Sequence, residues 1–128
     1  MNKQMIEQTG IYIAYPTTSE LKSIYKPKNY KTMVNNQHTK VGIAKDSFNS
    51  RSKGYYGNFD NEVDFIPLFI IDVKHLGQIE KIILSEINAE FSKVGRAREW
   101  FDTTNRKKVT EIVFSTIVAS GIEYKNIS

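Results

Sequence analysis

At 128 residues, with a net charge of +4 and a pI near 9.2, the chain has the length of one domain and a charge that suits a polyanionic partner. It contains no cysteine, which excludes disulfides, thiolate metal sites and thiol nucleophiles. No stretch approaches the roughly 18 apolar residues of a membrane span, and Met1-Asn2-Lys3-Gln4-Met5 lacks the apolar run of a secretory signal, so the expectation is a soluble, cytoplasmic protein with no membrane partner.

In chain order, residues 10 to 15 are rich in Ile and Tyr and are halted by Pro16, which predicts a first strand. Residues 17 to 38 break the pattern; a short helix capped by Thr or Ser followed by an excursion is the expectation. Lys40 to Ala44 reads as a second strand. Asp46 then offers a cap for a short helix through Arg51 that Gly54 weakens. Residues 62 to 73 are rich in β-branched and aromatic types and predict a third strand, with Pro67 marking an edge or a bulge. A long helix is expected from Leu76 to Val94, ended by Gly95. A last one spans about 104 to 120, with Val109, Ile112, Val113 and Ile117 as its apolar stripe and Gly121 as its stop.

The helix expected from Leu76 carries the sharpest signal. At about 100° per residue, Leu76, Ile79, Ile83, Leu84, Ile87, Phe91 and Val94 form one apolar arc, and Glu80 falls inside it. An ionised carboxylate costs several kcal/mol to bury without a partner, so Glu80 is expected in an ion pair, in a hydrogen bond, on a metal, or bent out to water. Glu90 lies near the arc but close to the helix end, where solvent is within reach. Arg51 and Tyr55 stand four residues apart, one helical turn, and so share a face. A cation and a hydroxyl in that relation suit phosphoryl chemistry, one holding the phosphate and the other orienting water; a surface arginine stacked on an aromatic has the same spacing.

In this order, Gly10-Ile11-Tyr12, Lys40-Val41-Gly42-Ile43, Arg51 with Tyr55, Glu80 on a long helix and Glu99-Trp100-Phe101 resemble the GIY-YIG nuclease domain. The resemblance covers about residues 10 to 101 and is strongest to the small phage and bacterial branch that includes the phage T5 open-reading-frame type, in which Lys-Val-Gly replaces the second name motif. It implies an α+β fold with a central three-stranded antiparallel sheet flanked by helices, the two motif strands being neighbours. It also implies a DNA endonuclease that hydrolyses phosphodiesters by in-line attack of water, with one Mg²⁺ or Mn²⁺. By position, Tyr12 would orient or activate the water with help from Lys40, Arg51 would hold the scissile phosphate, Tyr55 would take the place of a family His or Tyr, and Glu80 would bind the metal. Two departures stand out: residues 13 to 39 separate the name motifs, and Glu99-Trp100-Phe101 stands where many members carry an asparagine.

The insertion, residues 16 to 38, interleaves cations with aromatics. Lys26, Lys28, Tyr30 and Lys31 are its candidate substrate-binding residues, a composition that suits phosphates and unpaired bases. Arg96 with Arg98 and Arg106-Lys107-Lys108 read as solvated helix-end charges, His38 and His75 as ordinary surface or strand-edge residues, and Trp100 as a core anchor. The partner implied is single- or double-stranded DNA, and a homodimer is compatible with a double-strand break. The competing expectations are a nucleic-acid-binding module without catalysis and a protein-interaction domain that holds Glu80 in an ion pair.

Overall fold

The computed structural model describes residues 7–25 and 30–128. Within them the chain forms a mixed α+β fold. The strands are β1 (Gly10–Pro16), β2 (Lys22–Ile24), β3 (Thr32–Val34), β4 (Thr39–Ala44), β5 (Val63–Ile70), β6 (Trp100–Phe101) and β7 (Lys125–Asn126). The helices are α1 (Phe48–Asn58), α2 (Val73–Asn88) and α3 (Arg106–Ser120). The main sheet has five strands in the order β6-β4-β1-β5-β7, every pair antiparallel, where three strands were expected. Its centre is the expected trio β4-β1-β5. The two additional strands are two residues each and lie at the edges, too short to leave an alternating pattern in the sequence.

β1 occupies the middle of the sheet and divides two cores. Ile11 and Ile13 pack on the face covered by α2 and α3, with Leu76, Ile79, Ile83, Ile87, Val109, Val113 and Ile117. Tyr12 and Ala14, pointing the other way as strand alternation requires, pack with Phe48, Phe59, Phe65, Val34 and Trp100. The motif glycines are explained by this crowding. A Cβ on Gly42 would overlap the Tyr12 phenol ring, and one on Gly10 would overlap the Phe69 carbonyl and come within 2.7 Å of the Phe48 ring. Only the bare backbone lets Tyr12 lie across β4. Pro67 sits at a bulge, as expected. Tyr12 pairs with Pro67 and Ile11 with Phe69, which leaves Leu68 as the extra residue.

Other boundaries differ from expectation, including the third strand, which ends at Ile70 rather than at 73. Between Pro16 and β4 no helix occurs among the described residues; β2 and β3 instead make a separate two-stranded hairpin, Lys22 opposite Val34 and Ile24 opposite Thr32. α1 is capped by Ser47, whose hydroxyl accepts the Ser50 N–H at 3.0 Å, rather than by Asp46. It also continues through Gly54, because the burial of Phe48 and Ser52 outweighs a glycine's cost of about 1 kcal/mol. α2 starts three residues earlier than expected, where the Asp72 carboxylate accepts the Lys74 N–H at 3.0 Å, and it ends at Asn88. Phe91 and Val94 therefore lie beyond the helix; Phe91 still packs on the α2 side of the sheet, whereas Val94 packs on the opposite side with Trp100 and Tyr12.

Candidate active site

Sheet register sets the site. Antiparallel pairing places Lys40 of β4 opposite Ala14 on one side and Trp100 on the other, two pairs along from Tyr12 opposite Gly42 and so on the same face. Tyr12 is 2% exposed, its ring stacked on Phe65 with centroids 4.4 Å apart. Its hydroxyl meets that of Tyr55 at 2.8 Å, and the two rings are arranged edge to face at 5.6 Å. Tyr55 reaches this position because α1 packs over the same face of the sheet, held by Phe48. Arg51, one turn earlier on α1, is exposed, and its positive charge acts on both phenols. Arg51 forms no salt bridge among the described residues, which leaves its guanidinium available to an anion.

Burial governs the phenols. It pushes the Tyr12 pKa up to about 12, outweighing the hydrogen bond with Tyr55 and the charge of Arg51, both of which pull it down. Tyr55 is raised well above the ordinary phenol value, again chiefly by burial. Both phenols therefore stay protonated at neutral pH. Of the two roles expected for Tyr12, orienting a water fits this environment and acting as a base by itself does not.

Glu80, half-buried on α2, is held near Glu99, a residue of the loop before β6. Its pKa rises to about 7, first through burial, then through the negative charge of Glu99 and a hydrogen bond shared with it; Lys40 and Lys45 pull the other way. Glu99 also forms an ion pair with Lys40, whose side chain is buried between β1 and β6. The expected Tyr12, Lys40, Arg51, Tyr55 and Glu80 are thus electrostatically and sterically linked, and Glu99 is the residue that connects them. Its charge acts on Tyr12, Tyr55 and Glu80, and its carboxylate holds Lys40.

Glu99 was not among the expected site residues. It sits in a loop where no periodicity reveals which way it points, and the only sequence signal was its placement where an asparagine was sought. Two oxygen-donor carboxylates sharing one proton form the kind of group that a hard dication can take over by displacing the proton, and Mg²⁺ commonly uses one or two carboxylates together with waters and substrate phosphate. No cluster of three or more acidic, His or Cys ligands occurs among the described residues, so Glu80 and Glu99 are the donors the chain offers here.

Tyr30 and Lys31 lie just before β3, and Lys26 and Lys28 lie outside the described residues. Several other expectations resolve locally. Trp100 is a core residue, tilted against Phe59 at 6.1 Å. Glu90 is exposed and reaches Lys108 at 3.9 Å. His38 accepts the Asn35 N–H through Nδ1 at 3.0 Å in the β3–β4 turn, and burial lowers its pKa. Arg106 is not a solvated helix-end charge. It donates through Nε to Thr39 Oγ1 at 3.0 Å and through Nη2 to the Asn36 and His38 carbonyls, and its guanidinium lies 3.9 Å from the Tyr15 ring centre. It ties α3 to the start of β4, and hence to the strand that carries Lys40.

Comparison with curated proteins and with solved structures finds no match. A family model described as the T5orf172 domain matches residues 10–116, a span that includes all six residues of the site and the whole sheet except β7. The chain therefore belongs to the T5orf172 domain family.

Proposed function

We propose that this protein is a divalent-metal-dependent DNA endonuclease of the GIY-YIG type, hydrolysing phosphodiester bonds with water as the nucleophile. The observation that carries the proposal is the hydrogen-bonded Tyr12–Tyr55 pair, influenced on one side by Arg51 and on the other by the carboxylates of Glu80 and Glu99. These are the parts that hydrolysis of a phosphate ester asks for: a cation for the phosphoryl oxygens, protonated hydroxyls to align a water, and acidic oxygens for a metal.

Arg51, exposed on α1, neutralises charge that builds on the phosphoryl oxygens. In the Tyr12–Tyr55 pair one hydroxyl donates to the other, which leaves one O–H proton and oxygen lone pairs to hold a water in line with the bond to be broken. Lys40, held by Glu99, contributes a fixed positive charge beside the same water. Glu80 and Glu99 would hold Mg²⁺ or Mn²⁺, which when bound supplies a Lewis acid for the leaving oxygen. In the balanced reaction the water oxygen bonds to phosphorus, the ester P–O bond breaks, and the leaving oxygen ends protonated.

Cleavage of plasmid DNA in Mg²⁺ or Mn²⁺ tests the proposal. Arg51→Ala and Glu80→Ala should fold and should lose about 10²-fold or more in rate, the scale set by removing one preorganised charge-stabilising group. A double-strand break needs a second copy or a second event, so the nicked form should accumulate first at low protein concentration. The second reading is a nucleic-acid-binding module without catalysis. The Lys40–Glu99 ion pair favours it, since it already occupies one of the two carboxylates. Salt-dependent DNA binding without cleavage in either metal would select that reading.

A further inference from the structure

The β2–β3 hairpin and the loop between α2 and β6 enclose a second feature. Tyr30, Lys31 and Met33 on one side and Val94, Gly95 and Arg96 on the other line an open groove of about 390 Å³. That size falls in the range of about 300–1,000 Å³ typical of small-ligand clefts. Its lining includes two cations and no carboxylate. The Arg96 guanidinium lies over the Tyr30 ring, 4.2 Å from its centre, while Tyr30 itself remains 44% exposed. The floor is firm on both sides. Thr32 is buried against Gly95, and Val94 packs with Trp100, Phe59 and Tyr12. Val94 also accepts the Ala97 N–H at 3.0 Å and donates its own N–H to the Trp100 carbonyl at 2.9 Å.

The position of the groove follows from these contacts. Val94, Ala97 and Trp100 belong to the same core as Tyr12 and Tyr55, so the groove is built on the core that also carries the candidate active site. Only two residues of chain separate Arg96 from Glu99, so the loop that shapes the groove also delivers the carboxylate that holds Lys40. A phenol stacked with a planar guanidinium is a flat, cationic platform. Duplex DNA presents phosphates and groove edges to such a platform, whereas an unpaired nucleotide presents a base face and a phosphate together.

We infer that the Tyr30–Arg96 groove is a subsite for an unpaired nucleotide flanking the scissile phosphate, its base stacking on the Tyr30–Arg96 platform and its phosphate meeting Lys31. The inference rests on the nuclease reading of the neighbouring site and adds to it a substrate class: DNA with a single-stranded stretch beside the cut, such as a flap, gap or tail.

The test is fluorescence anisotropy with the full chain in a chelator, which prevents cleavage. Two labelled DNAs with the same total number of nucleotides are compared, one fully duplex and one with a shorter duplex and a single-stranded tail. The wild-type protein should prefer the tailed DNA. Tyr30→Ala and Arg96→Ala should each lower that preference by about tenfold, the scale of losing one base–aromatic stack. Tyr30→Phe should retain it, and this variant keeps the ring in place should Tyr30→Ala fail to fold. Arg96→Lys should lose the preference while its salt dependence stays close to wild type, because the charge is kept and the flat guanidinium is not. Equal affinity of the wild type for both DNAs, or an undiminished preference in Tyr30→Ala and Arg96→Ala, would overturn the subsite. Metal-dependent cleavage alongside either of those results would leave the nuclease reading standing; absence of DNA binding and of cleavage alike would remove both.

Discussion

In the absence of metal, the carboxyl of Glu80 should make this protein less stable as pH rises through neutrality. Burial, together with the charge of Glu99, raises the Glu80 pKa from 4.5 to about 7, so the folded state favours the protonated form that the unfolded chain gives up earlier. Its contribution to stability is fully present below pH 4.5 and is lost as pH climbs through about 7. At about 1.4 kcal/mol per pH unit the rise sets a ceiling of roughly 3 kcal/mol. Glu80 is only half-buried, and solvent screening reduces this to roughly 1–2 kcal/mol. For a domain of this size that corresponds to a fall of about 4–8 °C in Tm. Thermal unfolding of the wild type and of Glu80→Gln, in chelator from pH 4.5 to 8.5, isolates the effect because every other titrating group is common to both. The wild type should lose about 4–8 °C relative to the variant, mostly between pH 5 and 8. Mg²⁺ or Mn²⁺ added at pH 8 should restore the wild type and leave Glu80→Gln nearly unmoved, since a dication replaces the proton. Parallel curves for the two proteins would refute the strained carboxylate pair, and an equal response of both to metal would refute Glu80 as a ligand.

Three other outcomes follow from the same geometry. Lys40→Met removes a cation that lowers the Glu80 pKa, so the Glu80 midpoint, followed by NMR of the carboxyl carbon, should move above its wild-type value near 7; a downward move would contradict the arrangement. Gly42→Ala drives a methyl into the Tyr12 phenol and should cost about 1–3 kcal/mol in chemical denaturation while slowing cleavage, whereas Gly54→Ala, with open space around it, should be neutral or slightly stabilising. With Tyr12 titrating at about 12, the cleavage rate should show no rise from phenol ionisation between pH 8 and 10, and Tyr12→Phe should reduce the rate without altering that flat profile.

How far the sequence alone reached depended on the length of each signal. The apolar stripe Leu76, Ile79, Ile83 and Ile87 was legible because about three turns of helix repeat a spacing of three or four residues, and all of these residues are buried as expected. Its continuation to Phe91 and Val94 was not a helix. The chain turns after Asn88, and those residues are apolar for packing reasons of their own, on opposite sides of the sheet. Lys22-Ser23-Ile24 and Thr32-Met33-Val34 are three-residue strands, too short for alternation to show, so a hairpin was read as a helix and an excursion. The edge strands of two residues escaped for the same reason, and with them the fourth and fifth members of the sheet.

For the site, Arg51 and Tyr55 were readable as neighbours because a helical turn joins them, and Glu80 because a carboxylate on an apolar arc is conspicuous. Glu99 was not, since its role depends on the register of β4 against β6, which brings Lys40 beside Trp100 and so within reach of the preceding glutamate. Nothing local in Arg98-Glu99-Trp100 specifies that long-range pairing. Arg106 was misjudged on the same ground. Its partners Thr39, Asn36, His38 and Tyr15 are all distant in sequence, and only the fold reveals a fixed clamp in place of a solvated charge.

The central claim, that this face of the sheet hydrolyses DNA with a divalent metal, is tested most directly by a cleavage assay on supercoiled DNA in Mg²⁺ and in Mn²⁺. Wild type, Arg51→Ala and Glu80→Ala should be compared, each first shown to be folded by circular dichroism. The wild type should nick DNA in a metal-dependent way, and both variants should lose about 10²-fold or more in rate. Undiminished cutting by folded Glu80→Ala, or no cutting by the wild type in either metal, would contradict the claim.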